Sequence, residues 1–376
     1  MSHGHHAAPS APGARPWAGF VGCAAALAVA AGAVAVFAHV RTTPAEASAP
    51  GPVPALTVLS TSPTGTVQGG TTIAVRFSAD LASNTPLPTL TPPLAGSWGA
   101  VSPSFLEYQA TGPLVPGSTE TVTIPGGTSG VVGSQGQHLA KDVTSSFTVA
   151  PGSTLRLQQL LAELNYLPLT FTPSAPIGSP TQLGLDQPGT FSWRWTTLPS
   201  TLTSLWTQGQ SNVITTGAIM NFENQHGLKT DGLAGPEVWA DLLDDVQSGH
   251  ANANAYNYVL VSKALPETAT VYSNGAQAYS TPANTGVPGA PTVDGTFPVF
   301  ARYTVTTMKG TNPDGSHYVD PGIPWVSYFN GGDALHGFVR PSYGYPQSDG
   351  CVEMPPANAA VVYPYTPLGT LVTVEG

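Results

Sequence analysis

"HGFVRPSYGYPQSDGCVEM", residues 336–354, sets a histidine and a cysteine fifteen positions apart across a run of turn-forming residues. Cys351 is one of two cysteines in the chain; the other, Cys23, lies in an apolar N-terminal stretch, so Cys351 has no intramolecular disulfide partner. In an exported segment an unpaired cysteine reads either as a reactive or intermolecular thiol, or as a small buried hydrophobe. Nucleophilic work needs a base, because the thiolate is the reactive form and a free thiol is mostly protonated at neutral pH. His336 closes the apolar strand "ALHG", and "FVRPSYGYPQSDG" is rich enough in Gly, Pro and Ser to return the chain to it. Gly350 removes a side chain beside the sulfur. Main-chain N–H groups at Gly350 and Cys351 are then available to an oxyanion, the arrangement used by acyl transfer through a thioester. A His and a Cys at this spacing are a weak signal taken alone.

Composition narrows the classes. The 376 residues carry a formal net charge of −10 with only 11 Lys and Arg, all scattered, which speaks against nucleic acid. With 42 Gly and 38 Pro, many turns, short strands and few long helices are expected. There is no second cysteine near Cys351, no His-x-x-x-His spacing and no phosphate-binding Gly-rich loop, so neither zinc nor nucleotide is supported. "HGHH" at 3–6 offers metal-binding side chains, but a solvated short tail is the favoured reading.

From Trp17 to Val40 the chain has no Asp, Glu, Lys or Arg. As a helix this stretch spans roughly 36 Å, enough to cross a bilayer core of about 30 Å. It is longer than the usual core of a cleaved signal peptide, which favours an uncleaved anchor at 17–40 over cleavage at "AEA" (45–47). The expected layout is a cytoplasmic tail at 1–16, the transmembrane anchor, a linker at 41–52, and an exported remainder. The expected location is therefore the cell membrane, single-pass, with the bulk of the chain outside.

Residues 53–150 read as all-β: "LTVLS", "TTIAVRFSA", "FLEYQA", "TETVTIP" and "VTSSFTVA" are short, roughly alternating segments between Gly and Pro. They suit an antiparallel sandwich similar to immunoglobulin-like modules. At Ser153 the period changes to helical, with Leu157, Leu160, Leu161 and Leu164 in register. A Pro- and Trp-containing insertion follows. A second helix then ends at Gly227, and a third begins at Pro236. "LQQLLAELNYL" and "AIMNFENQHGLKTDGLAGPEVWADLL" resemble the peptidoglycan-binding domain family, placing a small helical domain at 151–250. From 255 to 376 the chain is β-rich again, with hairpin signals at Asn274-Gly275 and Asp294-Gly295 and a short helix over 356–362. The expected fold is mainly β and multidomain: transmembrane helix, β-sandwich, small helical bundle and C-terminal β-rich domain.

That last domain resembles the L,D-transpeptidase catalytic family. The family pattern is His-Gly, about fifteen residues, then Ser-His-Gly-Cys and an apolar residue; here "HGFVRPSYGYPQSDGCV" stands at those positions, and "PTVDGTFPV" matches an upstream Thr-Pro-x-Gly-x-Phe stretch. The resemblance implies that Cys351 is the nucleophile and His336 the general base. Ser348 and Gly350 would shape the turn and oxyanion hole, with Tyr328, Gly337 and Met308 as pocket walls. It also implies peptidoglycan stem peptides as substrates, a thioester formed with release of D-alanine, 3→3 cross-links, and no metal or organic cofactor. The departure is Asp349, where the family has His. A carboxylate there either opposes thiolate formation or holds the His336 ring, as an Asp does in catalytic triads. The alternative reading is a non-catalytic protein that tethers the membrane to the wall.

Overall fold

The computed structural model describes residues 51–376. The expected anchor at 17–40, the tail before it and most of the linker lie outside the described residues. Among the described residues no helix is long and apolar enough to cross a membrane.

The first layer pair is built from eight short strands: β1 (Val58–Ser62), β2 (Gly65–Val67), β3 (Ile73–Phe77), β4 (Thr89–Thr91), β5 (Gly96–Ser102), β6 (Phe105–Ala110), β7 (Thr119–Ile124) and β8 (Val143–Val149). They form two four-stranded sheets, β1-β3-β6-β5 and β2-β8-β7-β4. Alternate residues point inward, as the period-2 pattern dictates. Val75, Phe77, Leu106, Val122, Ile124, Phe147 and Val149 thereby meet in one core between the sheets.

The helical part follows. Helix α1 (Thr154–Glu163) begins where the Ser153 side chain accepts the Arg156 N–H, a standard N-cap. The Trp-containing insertion is a two-stranded hairpin, β9 (Leu169–Pro173) and β10 (Gly189–Trp193), followed by the short helix α2 (Ser200–Thr203). Helix α3 (Val213–His226) is capped at its start by Asn212 and at its end by Gly227. Helix α4 (Pro236–Ser248) starts on Pro236, whose missing N–H costs nothing in a first turn. Leu160, Leu161, Leu202, Phe222, Trp239 and Leu242 fill their shared core, which extends to Tyr258 and Leu371 of the next layer. Burying each such side chain contributes roughly 1.5–3 kcal/mol. The insertion has a structural role: Trp195 stacks against Tyr256, and Thr197 donates to the Gly275 carbonyl. It therefore straps the helical module to the C-terminal domain.

That domain has two sheets. The five-stranded one is ordered β13-β12-β11-β19-β14. It comprises β11 (Asn257–Ser262), β12 (Thr268–Ser273), β13 (Ala276–Pro282), β14 (Gly295–Pro298) and β19 (Leu371–Glu375). The four-stranded one, β15-β16-β17-β18, comprises a long hairpin, β15 (Ala301–Thr311) and β16 (His317–Asn330), then β17 (Asp333–Gly337) and β18 (Val352–Met354). Helix α5 (Pro356–Val362) completes the core between them, where Val259, Val271, Phe329, Leu335, Val352, Met354, Ala359 and Val372 pack. Asn274 and Gly275 form the β12–β13 turn, both with positive φ.

Candidate active site

The site follows from one strand pairing. β17 and β18 run parallel with Leu335 opposite Val352 and His336 opposite Glu353. Side chains alternate across a sheet. Leu335, Val352 and Met354 therefore point into the inter-sheet core, while Ala334, His336, Cys351 and Glu353 share the opposite face. The fourteen residues between β17 and β18 form a loop that returns Cys351 to the strand carrying His336.

Cys351 is half-buried at the end of that loop and packs beside Met308, Val326, Ala334 and Tyr328. Its sulfur donates toward the Gly332 carbonyl at 3.6 Å. Burial pushes the thiol pKa up to about 12, with the Asp333, Glu353 and Asp349 carboxylates adding to the rise and the Ala334 N–H opposing it. The resting group is the neutral thiol.

His336 is 2% exposed. Burial lowers its pKa below the ordinary 6.5, so it too is neutral at rest. Its Nδ1 lies 3.1 Å from the Gly337 carbonyl, an atom that can only accept. Nδ1 therefore carries the proton, and Nε2 presents a lone pair. No hydrogen bond joins the imidazole to the thiol. What the arrangement offers is a neutral nucleophile and a neutral base of the correct tautomer on one sheet face.

The turn before the thiol is heavily braced. The Ser348 hydroxyl, 1% exposed, donates to the Cys351 carbonyl at 2.5 Å, and the Thr292 hydroxyl reaches the same oxygen at 3.4 Å. Gly350 has φ +109°, and a Cβ there would stand 2.7 Å from Asp333 Oδ1. Gly350→Ala is therefore expected to destabilise the fold by about 1–3 kcal/mol, which urea unfolding checks. The Gly350 and Cys351 amides take no part in the loop hydrogen bonds that hold this turn.

One face of the turn is tied down by an ion pair. Arg340 grips Glu353 with two contacts of 2.7 Å and lies over the Phe338 ring, while its Nη2 also donates to the Gln347 carbonyl. The pair fixes the Glu353 side chain in place. Behind the turn, the buried Glu267 carboxylate accepts from the Thr285 N–H (2.6 Å) and hydroxyl (2.8 Å). The Thr285 carbonyl in turn accepts the Gln347 and Ser348 amides.

A pocket of about 350 Å³ opens over Cys351 and His336, its walls including Met308, Tyr318, Asp320, Ile323, Phe338 and Asp349. Burial raises the Tyr318 phenol pKa, and the neighbouring Cys351, Asp349 and Asp320 raise it further.

Of the residues expected here, Cys351, His336, Ser348, Asp349 and Met308 line this pocket, whereas Gly350, Tyr328 and Gly337 do not. Tyr328 packs near the thiol without lining the pocket, in the small cluster around Met308. Gly337 points the other way: a Cβ would meet Pro356, Pro324 and Ala359, because the strand alternation turns it toward α5. Nor does Asp349 hold the histidine ring; the Gly337 carbonyl does, and Asp349 stays on the exposed rim. The sequence reading missed Tyr318 and Asp320. Their alternation on β16 was the available signal, but only the long β15–β16 hairpin shows which face meets the thiol. It also missed the bracing role of Thr292 and of Glu267. Among the described residues no group of His, Cys, Asp and Glu is placed to hold a metal ion.

Against this geometry, the family model YkuD, the L,D-transpeptidase catalytic domain, matches residues 256–374. The chain therefore carries an L,D-transpeptidase catalytic domain over that segment. No curated protein matches the chain. Among solved structures, it is similar to the catalytic domain of an Enterococcus faecium L,D-transpeptidase at 28% identity, covering 32% of this chain and 96% of that one, with a TM-score of 0.30. An L,D-transpeptidase from Mycobacterium smegmatis matches at 15% identity over 86% of this chain and 100% of that one, TM-score 0.29. L,D-transpeptidase 3 from Mycobacterium tuberculosis, carrying a faropenem-derived adduct, matches at 13% identity over 85% and 98%, TM-score 0.30. With TM-scores this low, the domain's identity rests on the family model.

Proposed function

We propose that this chain is a peptidoglycan L,D-transpeptidase in which Cys351 is the nucleophile and His336 the general base. The observation that carries the reading is the shared sheet face: a His fixed in the tautomer that frees Nε2, and a thiol two positions before its ladder partner Glu353, both lining one pocket in the segment the family model matches. In the first half-reaction the Cys351 sulfur attacks the carbonyl of the third stem residue while Nε2 takes the thiol proton. The tetrahedral oxyanion is stabilised by the Gly350 and Cys351 N–H groups. As the C–N bond breaks, His336 returns that proton to the leaving D-alanine amine, and a thioester remains. In the second, the side-chain amine of a neighbouring stem attacks the thioester, loses a proton to His336, and expels the sulfur, which is reprotonated. The product is a 3→3 cross-link. The helical module at 151–250 and the sandwich at 53–150 hold the domain in the wall, and residues 17–40 anchor it to the cell membrane.

The test is intact-protein mass spectrometry of the chain mixed with a tetrapeptide stem. An adduct of one acylated tripeptide with stoichiometric D-alanine release supports the proposal. A folded chain that binds peptidoglycan but gains no mass overturns it in favour of a non-catalytic tether. That second reading is favoured by one observation: the Cys351 sulfur is turned toward the Gly332 carbonyl, with no hydrogen bond to the His336 ring.

Asp349 contributes to the raised thiol pKa. Asp349→Asn is expected to speed alkylation of Cys351 at fixed pH by up to about fivefold, the size of one solvent-screened charge removed at close range. An unchanged iodoacetamide rate at low salt would show that the carboxylate does not face the sulfur.

A further inference from the structure

A second cleft lies away from the thiol, where helix α3 meets the start of β11 and the segment after α5. It encloses about 410 Å³, within the range of small-ligand sites, about 300–1,000 Å³. In a chain with a net charge of −10, its lining contains no charged side chain. It presents instead the amides of Asn224, Asn254 and Asn257, the Ser273 hydroxyl, the Tyr365 ring and Pro367. None of those three amides or that hydroxyl is used in a side-chain hydrogen bond among the described residues, whereas the neighbouring Asn221 and Gln225 are bonded to each other. Asn257 Oδ1 is a buried acceptor left without a partner. Such a group costs on the order of 1–3 kcal/mol unless something fills it.

The chemistry of this lining is specific. Amides offer a donor and an acceptor from one side chain, which matches hydroxyl and acetamido groups that do the same. Without fixed charge there is nothing to select an ion. An aromatic ring and a proline supply flat apolar faces for the C–H side of a pyranose. We propose that this cleft binds a neutral N-acetylated glycan, holding it at the junction of the helical module and the catalytic domain. The assignment to an N-acetylhexosamine, as opposed to other neutral sugars, rests on the wall-directed reading above. The site itself does not depend on Cys351 chemistry.

The experiment is a calorimetric titration of the intact chain with chitotetraose, beside the Asn224→Ala, Asn254→Ala double variant. Both asparagines are exposed, so the variant is expected to fold with an unchanged melting temperature. Saturable binding by the wild-type chain, weakened at least tenfold in the double variant, supports the proposal. Absence of saturable binding overturns it, as does equal affinity in the two chains. Displacement of the sugar by an equimolar sugar-free stem peptide would also overturn it and make the cleft a peptide site. Thioester formation measured on the same preparation separates failure of this site from failure of the transpeptidase reading.

Discussion

On the proposed mechanism, Cys351→Ala is expected to remove thioester formation completely and to lower transpeptidation by at least about 10⁴-fold, the scale seen when a covalent nucleophile is deleted. The expectation rests on position. Cys351 is the only cysteine among the described residues, and it sits against the pocket that also holds His336. The substitution removes one sulfur at a half-buried position, so folding is expected to survive it. Intact mass gives the clearest readout: the wild-type chain gains an acylated tripeptide and the variant gains nothing. An adduct persisting in the variant would place the acylated nucleophile on another side chain.

The second large effect concerns His336. His336→Gln is expected to slow acylation by about 10²–10⁴-fold, the usual share of a positioned base. The pH profile distinguishes a base from a structural group. Burial lowers the imidazole pKa below 6.5, so the neutral, proton-accepting form persists to lower pH than in a free histidine. The acid limb of kcat/KM is therefore expected below pH 6.5, followed by a plateau. The thiol does not ionise until about 12, so no thiolate limb intrudes on that plateau near neutrality. In the glutamine variant the plateau is replaced by a tenfold rise per pH unit, because hydroxide must then do what Nε2 did. A wild-type rate that climbs in the same way from pH 6 to 9 would remove His336 from the proton transfer.

Local chemistry was the readable part of this sequence. The Ser153 cap, the Gly227 stop, the Pro236 start and the Asn274-Gly275 turn are decided by residues within a few positions of each other, and each forms where the pattern places it. The proximity of His336 and Cys351 was also within reach, since a single loop of turn formers joins them. Facing directions were not. Gly337 was expected on a pocket wall, yet its face is set by α5 and by Pro324 on a neighbouring strand. Tyr318 and Asp320 reach the thiol only because a fourteen-residue strand pairs on both sides. Glu267 braces the turn through Thr285, over eighty positions before the cysteine, a link that no short-range pattern encodes.

The parallel β17–β18 pairing has a consequence for how such a domain changes over time. His336 is registered within the ladder and Cys351 sits immediately before its first paired residue, Val352, while Phe338 through Asp349 hang between the two strands. Exchanges at the exposed positions of that hanging segment, such as Val339, can reshape the rim of the opening, whereas Ser348 and Arg340 in the same segment brace Cys351 and Glu353 and are tied to the site. A slip of one residue in the ladder, by contrast, would turn the sulfur into the core. The rim of this opening is loosely constrained, and the face that His336 and Cys351 share is held by arithmetic of two.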